Sequence, residues 1–222
     1  MAIFNGRLPV IDEKEVRRYA GLQRAEDFPE QYVKEACLEV QLEAVPRGIY
    51  REYAYDAATG TIQSDTPLVV EGSSIRKHLA SSVRVAVMGV TIGEGVERRS
   101  AALFKDGNYT VGLLVDAAAT TAVEQVADQV NDLIVKAAAA GGYTTTWRFS
   151  PGYGNWPLDV QPALAAIIGA EEIGLTVTDT CMLFPRKSVT AIIGYMPGGT
   201  ELQTKRGCTS CSQRDCPSRK KP

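Results

Sequence analysis

The residues best suited to chemistry lie in one stretch, residues 146–157, which reads TWRFSPGYGNWP. Within it Arg148 supplies a fixed cation, and Tyr153 and Trp156 supply flat faces, a combination suited to a ligand with a carboxylate or an aromatic ring. The backbone is expected to hold a special shape, because it contains Pro151, Gly152, Gly154 and Pro157. The stretch therefore predicts a binding surface. A tight strand-to-helix turn whose aromatic residues cap the core fits the same composition.

A second group of reactive side chains lies near the C-terminus. Cys208, Cys211 and Cys216 occur in the run CTSCSQRDC, and the first two have the spacing of metal ligands. A closed tetrahedral site needs a fourth ligand, which a second chain or an exogenous group could also supply. The candidates within the chain are Cys37, Cys181 and His78. The patterns around Cys37 and Cys181 are apolar and predict core positions, so an iron–sulfur cluster, zinc, a redox dithiol and free thiols in a disordered tail all stay open.

A single histidine limits the catalytic chemistry that the chain can perform. His78 is that histidine, so a multi-histidine metal centre is excluded, and a serine or cysteine nucleophile would have only this base. Its surroundings, SIRKHLAS, are interpreted as a surface helix position. The sequence contains neither a Walker loop nor a dinucleotide fingerprint after a strand. Hydrolysis and nucleotide-driven chemistry are therefore poorly supported, and no catalytic side chain is predicted.

The composition is that of a globular protein of 222 residues, 45% apolar and 23% charged, with a net charge of -2. Residues 205–222 are basic, with Asp215 as their one acidic residue, but no nucleic-acid-binding motif accompanies them. No signal peptide and no membrane-length apolar run is visible. Five cysteines, an odd number, argue against a secreted disulfide framework. We therefore expect a cytoplasmic protein that binds neither nucleic acid nor membrane.

Helical and strand patterns are interspersed without a regular strand–helix alternation, which predicts an α+β fold. The domain prediction is a single unit over residues 1–200, with helices and strands already in residues 1–72, followed by a basic, cysteine-rich tail at 201–222. Predicted helices cover residues 11–21, 30–44, 73–79, 93–104, 111–140 and 158–169. Asp12 is the N-cap candidate of the first of these helices, and Ser73 or Ser74 is that of the third. Predicted strands cover residues 49–54, a segment ending near 70, and 83–92, 143–149, 175–178, 181–184 and 189–195. On the longest helix Asp116, Thr120, Thr121 and Glu124 form one stripe, interpreted as a solvated face.

The run RFSPGYGNWP, a helix, and then CMLFPRKSVTAIIGY together resemble the C-terminal activation domain of cobalamin-dependent methionine synthase, especially its free-standing bacterial forms. The resemblance covers residues 83–196. In that family an Arg-x-x-x-Gly-Tyr turn holds S-adenosylmethionine, and Arg148, Gly152 and Tyr153 match it. A Pro-x-x-Ser-Val motif, matched from Pro185 to Val189, precedes a second ligand-facing segment. The resemblance places further ligand contacts at Glu124, Ile193 and Gly194.

The resemblance implies mixed helices with a largely antiparallel sheet, and a role in reductive reactivation of a corrinoid protein. Arg148 would clamp the ligand carboxylate, and the backbone of Ser150, Pro151 and Gly152 would fix its amino-acid end. Methyl transfer to reduced cobalt needs no general base. The family's corrinoid-binding Asp-x-His-x-x-Gly motif is absent, so cobalamin would arrive on a partner such as a methionine synthase.

A reductive activator also needs an electron donor, such as flavodoxin or ferredoxin, and this need favours an iron–sulfur cluster at the tail cysteines. The alternative function is a non-catalytic module that senses S-adenosylmethionine or tethers a corrinoid protein. An activator of other corrinoid methyltransferases is a third possibility, distinguished by its partner.

Overall fold

The computed structural model describes residues 3–199 and shows an α+β fold, as predicted. The helices are α1 (Glu13–Tyr19), α2 (Glu30–Glu43), α3 (Ser73–His78), α4 (Gly95–Lys105), α5 (Tyr109–Ala140) and α6 (Gln161–Ile168). The strands are β1 (Phe4–Asn5), β2 (Arg47–Asp56), β3 (Thr61–Gln63), β4 (Leu68–Val69), β5 (Arg84–Thr91), β6 (Tyr143–Thr145), β7 (Thr176–Val177), β8 (Leu183–Phe184) and β9 (Ser188–Pro197). Short 3-10 turns at Leu158–Val160 and Ala170–Ile173 flank α6.

The main sheet is antiparallel throughout, in the order β4-β3-β2-β5-β9-β6, with β1 paired to β2. Strand β5 is central, and every residue after Arg84 in it is buried. Its apolar run VAVMGV follows from that position, because side chains of both faces meet packed layers. The hairpin β7–β8 forms a separate two-stranded sheet.

Helices cover the two faces of the sheet unequally. Helices α1, α2, α4 and α5 pack on one face, and α3 and α6 pack on the other. The long helix α5 approaches the sheet closely at Gly48, where a Cβ would lie 2.5 Å from Val130 Cγ2. Its Ala-rich sequence permits this approach, because small side chains let a helix lie near the strands. Among the described residues no helix is both long and apolar enough to cross a membrane.

Several local predictions are confirmed. Asp12 caps α1, because its Oδ1 accepts hydrogen bonds from the backbone N–H groups of Lys14 (2.9 Å) and Glu15 (3.3 Å). Gly169 ends α6 in the left-handed conformation, with φ 68°. Cys37 is a core residue and is 6% exposed.

Other local predictions are wrong for reasons of tertiary packing. His78 is not a surface residue but is 5% exposed, because its ring packs against Trp147 and Phe149. Cys181 is only partly buried and has φ 61°, so it belongs to a turn and not to the core. The segment ending near residue 70 is broken into β3 and β4. Neither Ser73 nor Ser74 is the N-cap of α3, since that position is Gly72.

Candidate functional site

The stretch after β6 leaves the regular ladder with β9. Thr145 pairs with Tyr195, and the next pairing joins Phe149 to Ile192. Four steps from 145 to 149 therefore oppose three steps from 195 to 192, so one extra residue is accommodated between them. This is the geometry of a β-bulge, a device that often re-aims a side chain beside a functional site.

The bulge determines which face of the sheet Arg148 occupies. Directly paired residues share a face, and Tyr195 lies on the α5 face while Ile192 lies on the α3 and α6 face. The extra residue thus reverses the alternation. Trp147 and Phe149 both pack on the α3 and α6 face, and Arg148 between them faces α5.

Arg148 is held by two carboxylates of α5. Its Nη2 lies 3.0 Å from Glu124 Oε2, and its Nη1 lies 2.6 Å from Asp128 Oδ1. The Arg148 side chain is 9% exposed, while those of Glu124 and Asp128 are 41% and 60% exposed. The guanidinium is therefore fixed in place, and solvent or a ligand can reach its two partners.

These groups line a cleft of about 440 Å³ between α1, α5 and the turn. Tyr153, 54% exposed, lies at its rim. The wall formed by α1 is tied to α5 through Gln125, whose amide donates to the Val10 carbonyl (3.0 Å) and accepts from the Asp12 N–H (3.3 Å). The side chains of the cleft are thus positioned by three elements that are distant in sequence.

The charge of the cleft is negative. Its carboxylates are Asp12, Glu15, Glu124 and Asp128, and its guanidinium groups are Arg18 and Arg148. Four negative groups against two positive ones leave a surplus of two negative charges. Such a cleft favours a ligand that carries a net positive charge.

The polar stripe of α5 is only in part the solvated face that the sequence predicted, because its half-exposed carboxylates also pair with cations. At intervals of four residues it carries Asp116, Thr120, Glu124 and Asp128. Lys187 Nζ lies 2.9 Å from Asp116 Oδ1 and donates to Thr120 Oγ1 at 2.8 Å. The stripe pairs with Lys187 and Arg148, two cations from the sheet side. Thr121, also assigned to it, is 2% exposed and donates to the carbonyl of Ala117.

The predicted turn residues come together beside the cleft. Gly152 has φ 86°, which favours glycine, and its N–H donates to the Trp156 carbonyl at 2.8 Å. The Ser150 carbonyl accepts from the Tyr153 N–H at 3.1 Å, and Pro151 is buried. Trp156 does not offer a face to a ligand, because it is 1% exposed in the core. Trp156 instead caps the core, as expected for a tight strand-to-helix turn.

The structure does not bring Ile193 and Gly194 to the cleft. Both lie inside β9, where they pair with Ala86 and Val85 of β5, and Ile193 is 0% exposed. A Cβ on Gly194 would lie 2.1 Å from Ser82 Oγ, so this strand is covered closely. Their side chains therefore lie outside the cleft, and their role as ligand contacts stays a prediction.

Sequence reasoning missed several residues of the site. Asp128 follows Glu124 by four residues, a spacing that could have identified it as the second carboxylate on that face. Glu15 and Arg18 of α1, and its N-cap Asp12, carried no such signal, because nothing local indicates that α1 lies beside residues 146–157. The tail residues Cys208, Cys211 and Cys216 lie outside the described residues. Within residues 3–199 no group of three histidine, cysteine or acidic side chains is placed to hold a metal ion.

Comparisons with known proteins agree with this architecture at the level of the fold. No protein-family model matches the sequence, and no curated protein matches it. A matching solved structure is described as the crystal structure of the MetH reactivation domain bound to AdoHcy. The TM-score is 0.62 at 11% sequence identity, over 94% of this chain and 82% of that chain. The two proteins share a fold.

Proposed function

We infer that the cleft binds S-adenosylmethionine and that the protein supports reductive reactivation of a corrinoid protein, such as a methionine synthase that carries cob(II)alamin. The observation that carries this proposal is the position of Arg148, aimed by the bulge into an acidic cleft with Tyr153 at its rim. The fold shared with a reactivation domain bound to AdoHcy supports it.

The ion pairs of Arg148 with Glu124 and Asp128 suit a ligand that carries both a carboxylate and an ammonium group at its amino-acid end. The ligand carboxylate would replace Asp128, the more exposed of the two partners, on the guanidinium. The ligand ammonium group would then meet the displaced carboxylate and Glu124. This exchange leaves every charge with a partner, as burial of charged groups requires.

The remaining ligand charge is the sulfonium, which the negative surplus of the cleft stabilises. Once the partner's cobalt has been reduced, its electron pair forms the cobalt–carbon bond, and the pair of the broken carbon–sulfur bond stays on sulfur as a neutral thioether. No proton moves in this step. The residues of the cleft therefore bind and orient the ligand, and none acts as an acid or base.

The first test is calorimetric titration of the full chain with S-adenosylmethionine. Micromolar binding that Arg148→Ala weakens would support the cleft as the ligand site. The second test adds a corrinoid protein in the cob(II)alamin state with reduced flavodoxin or ferredoxin, and follows methylcobalamin by its absorbance. Methylcobalamin that forms only with both protein and ligand supports reactivation. Binding without methyl transfer would instead indicate the sensing or tethering module.

A further inference from the structure

The short helix α3 contacts the functional turn at both of its ends. His78, its last residue, lies against the bulge, and Ser73 and Ser74, its first two, lie against Asn155. The turn is thus spanned by an element that belongs to neither the cleft nor the β6–β9 ladder.

At the C-terminal end, His78 Nε2 lies 2.8 Å from the carbonyl oxygen of Trp147, the residue before Arg148. A carbonyl only accepts, so Nε2 carries the hydrogen and donates it. Burial lowers the pKa of His78, and the bond to Trp147 acts in the opposite direction. The ring also packs on Trp147 and Phe149, with centroids 4.4 and 5.1 Å away.

This carbonyl belongs to the bulge, where regular ladder bonding is interrupted. Thr146 Oγ1 accepts from the Gly194 N–H at 2.8 Å and also lies 3.2 Å from the Trp147 oxygen. A buried backbone carbonyl without a partner would cost free energy. His78 and Thr146 therefore both supply hydrogen-bond donors to this carbonyl.

At the N-terminal end, Asn155 caps α3 from a distance. Its Oδ1 accepts from the Ser74 N–H at 2.8 Å, and its Nδ2 donates to Ser73 Oγ at 2.9 Å. The N-cap residue, Gly72, has no side chain for this purpose. The two segments also approach closely, since a Cβ on Gly72 would lie 2.7 Å from the Asn155 carbonyl oxygen.

Helix α3 is itself anchored to the sheet. Ile75 and Leu79 are 0% exposed in the core of that face. Arg76 Nη2 donates to the carbonyls of Ala57 (3.3 Å) and Ala58 (2.8 Å) in the β2–β3 turn. Because α3 is anchored in this way, its contacts with residues 147–155 attach the turn to the core of the sheet.

We propose that His78 and Asn155 are positioning residues that act through α3 to hold the bulge in the register that directs Arg148 into the cleft. That these residues hold the bulge is inferred from their contacts with Trp147, Ser73 and Ser74. Its consequence for ligand affinity rests on the proposed function, so the two parts need separate measurements.

The first measurement needs no ligand. Hydrogen–deuterium exchange is followed at the amides of Phe149 and Ile192 in wild type, His78→Phe and His78→Gln. The glutamine retains an N–H donor near the position of Nε2, and Lys77→Gln, at an exposed position of the same helix, is the matched control. We expect His78→Phe to accelerate exchange at both amides by about tenfold or more, with the other two variants near wild type.

Two results would overturn the positioning role. One is unchanged exchange at Phe149 and Ile192 in His78→Phe. The other is equal acceleration at those amides and in the β2–β5 ladder, which would show that His78 contributes only to global stability. Asn155→Ala provides a second variant at the opposite end of α3, and acceleration confined to the turn is expected there too.

The second measurement is a double-mutant cycle on affinity for S-adenosylmethionine. If His78 acts through Arg148, the variant His78→Phe/Arg148→Ala will bind about as weakly as Arg148→Ala alone. Additive losses would contradict the proposal. Absence of binding by wild type would overturn the proposed function, while the exchange experiment would still decide whether His78 positions the turn.

Discussion

Phe149 and Ile192 exchange both of their backbone hydrogen bonds, at 3.0 and 2.9 Å, one residue out of step with the ladder that ends at Thr145. The residue before Phe149 consequently faces α5. Without the extra residue, Arg148 would point to the opposite side of the sheet, since a one-residue shift exchanges the faces. The cleft therefore depends on strand register as much as on the identity of Arg148.

Replacing Arg148 tests the site directly. Arg148→Ala should weaken binding of S-adenosylmethionine by about 1.5–3 kcal/mol, the scale of a hydrogen bond to a charged group. The alanine removes the group proposed to hold the ligand carboxylate. Isothermal titration calorimetry at fixed salt measures the change in the dissociation constant.

The control for this prediction is Arg84→Ala. Arg84 also forms an ion pair with a carboxylate, Glu52, at 3.3 Å, but its side chain is 40% exposed and lies outside the cleft. Its removal should leave ligand affinity unchanged. An Arg148→Ala protein that binds as tightly as wild type would exclude this residue as the ligand anchor.

The negative surplus of the cleft predicts discrimination by ligand charge. S-adenosylmethionine carries one more positive charge than AdoHcy, its demethylated form, so it should bind more tightly by about 1 kcal/mol. The difference should shrink as added salt shortens the screening length from about 30 Å at 0.01 M to about 3 Å at 1 M. Paired titrations at several salt concentrations measure it. Equal affinities at low salt would show that the acidic groups do not contact the sulfonium end.

The close approach of α3 to the turn predicts an unusual cost at Gly154. It has φ 57°, and a Cβ there would lie 2.6 Å from Ser74 Oγ. Gly21 has φ 74° with no atom within 4 Å, so it is a matched control. Alanine at Gly21 should cost about 1 kcal/mol for the left-handed conformation alone. At Gly154 the clash should add about 1–3 kcal/mol.

Urea denaturation of the two alanine variants measures this difference in the free energy of unfolding. Comparable losses at Gly154 and Gly21 would mean that the turn and α3 can separate without cost. That result would also contradict the proposal that Asn155 ties the turn to α3.

Periodicity and apolar runs gave the elements that local sequence determines. The buried strand β5 and the long helix α5 were predicted nearly to their ends, because burial on both faces or on one helical stripe leaves a pattern within the segment itself. The cap at Asp12 was found for the same reason, since its partners Lys14 and Glu15 are two and three residues away.

Features that depend on distant partners could not be predicted this way. SIRKHLAS resembles a surface helix, but His78 is buried against Trp147. Because Trp147 is 69 residues away, this contact leaves no pattern in the local sequence. Asp116 and Glu124 resemble a solvated stripe, but Lys187 and Arg148 come to them from the sheet side. The bulge leaves no mark in composition, since it is a property of pairing between two strands.

Because the thiol of Cys37 is buried, we expect it to resist alkylation more than Cys181 does. Burial, and then the nearby charges of Glu13 and Asp12, raise its pKa to about 11. The thiolate is the reactive form, so alkylation of Cys37 in the folded protein should be very slow at pH 8 and should increase as the pH approaches 11. Partly exposed Cys181 should react at pH 8 in metal-free protein. Peptide mapping by mass spectrometry after iodoacetamide treatment resolves the two sites.

The raised pKa of Cys37 also predicts that the protein loses stability as the pH rises above 9.0. A thiol whose pKa is higher in the folded state than its ordinary value of 9.0 keeps its proton longer when folded. Its stabilising contribution is complete below pH 9.0 and is lost as the pH rises towards 11. Wild type should therefore lose more stability than Cys37→Ala between these values in denaturant titrations. A parallel loss in both proteins would contradict burial as the cause.

The tail cysteines predict bound metal. Cys208, Cys211 and Cys216 supply three thiolates, so protein purified without oxygen should contain iron or zinc, and truncation after Gly207 should remove it. Elemental analysis and visible absorbance measure the content and separate an iron–sulfur cluster from zinc. Among the described cysteines Cys37 is buried, so Cys181 is the better candidate for a fourth ligand from this chain. Metal lost in Cys181→Ser would support that ligand set, and metal retained after truncation would place the site elsewhere.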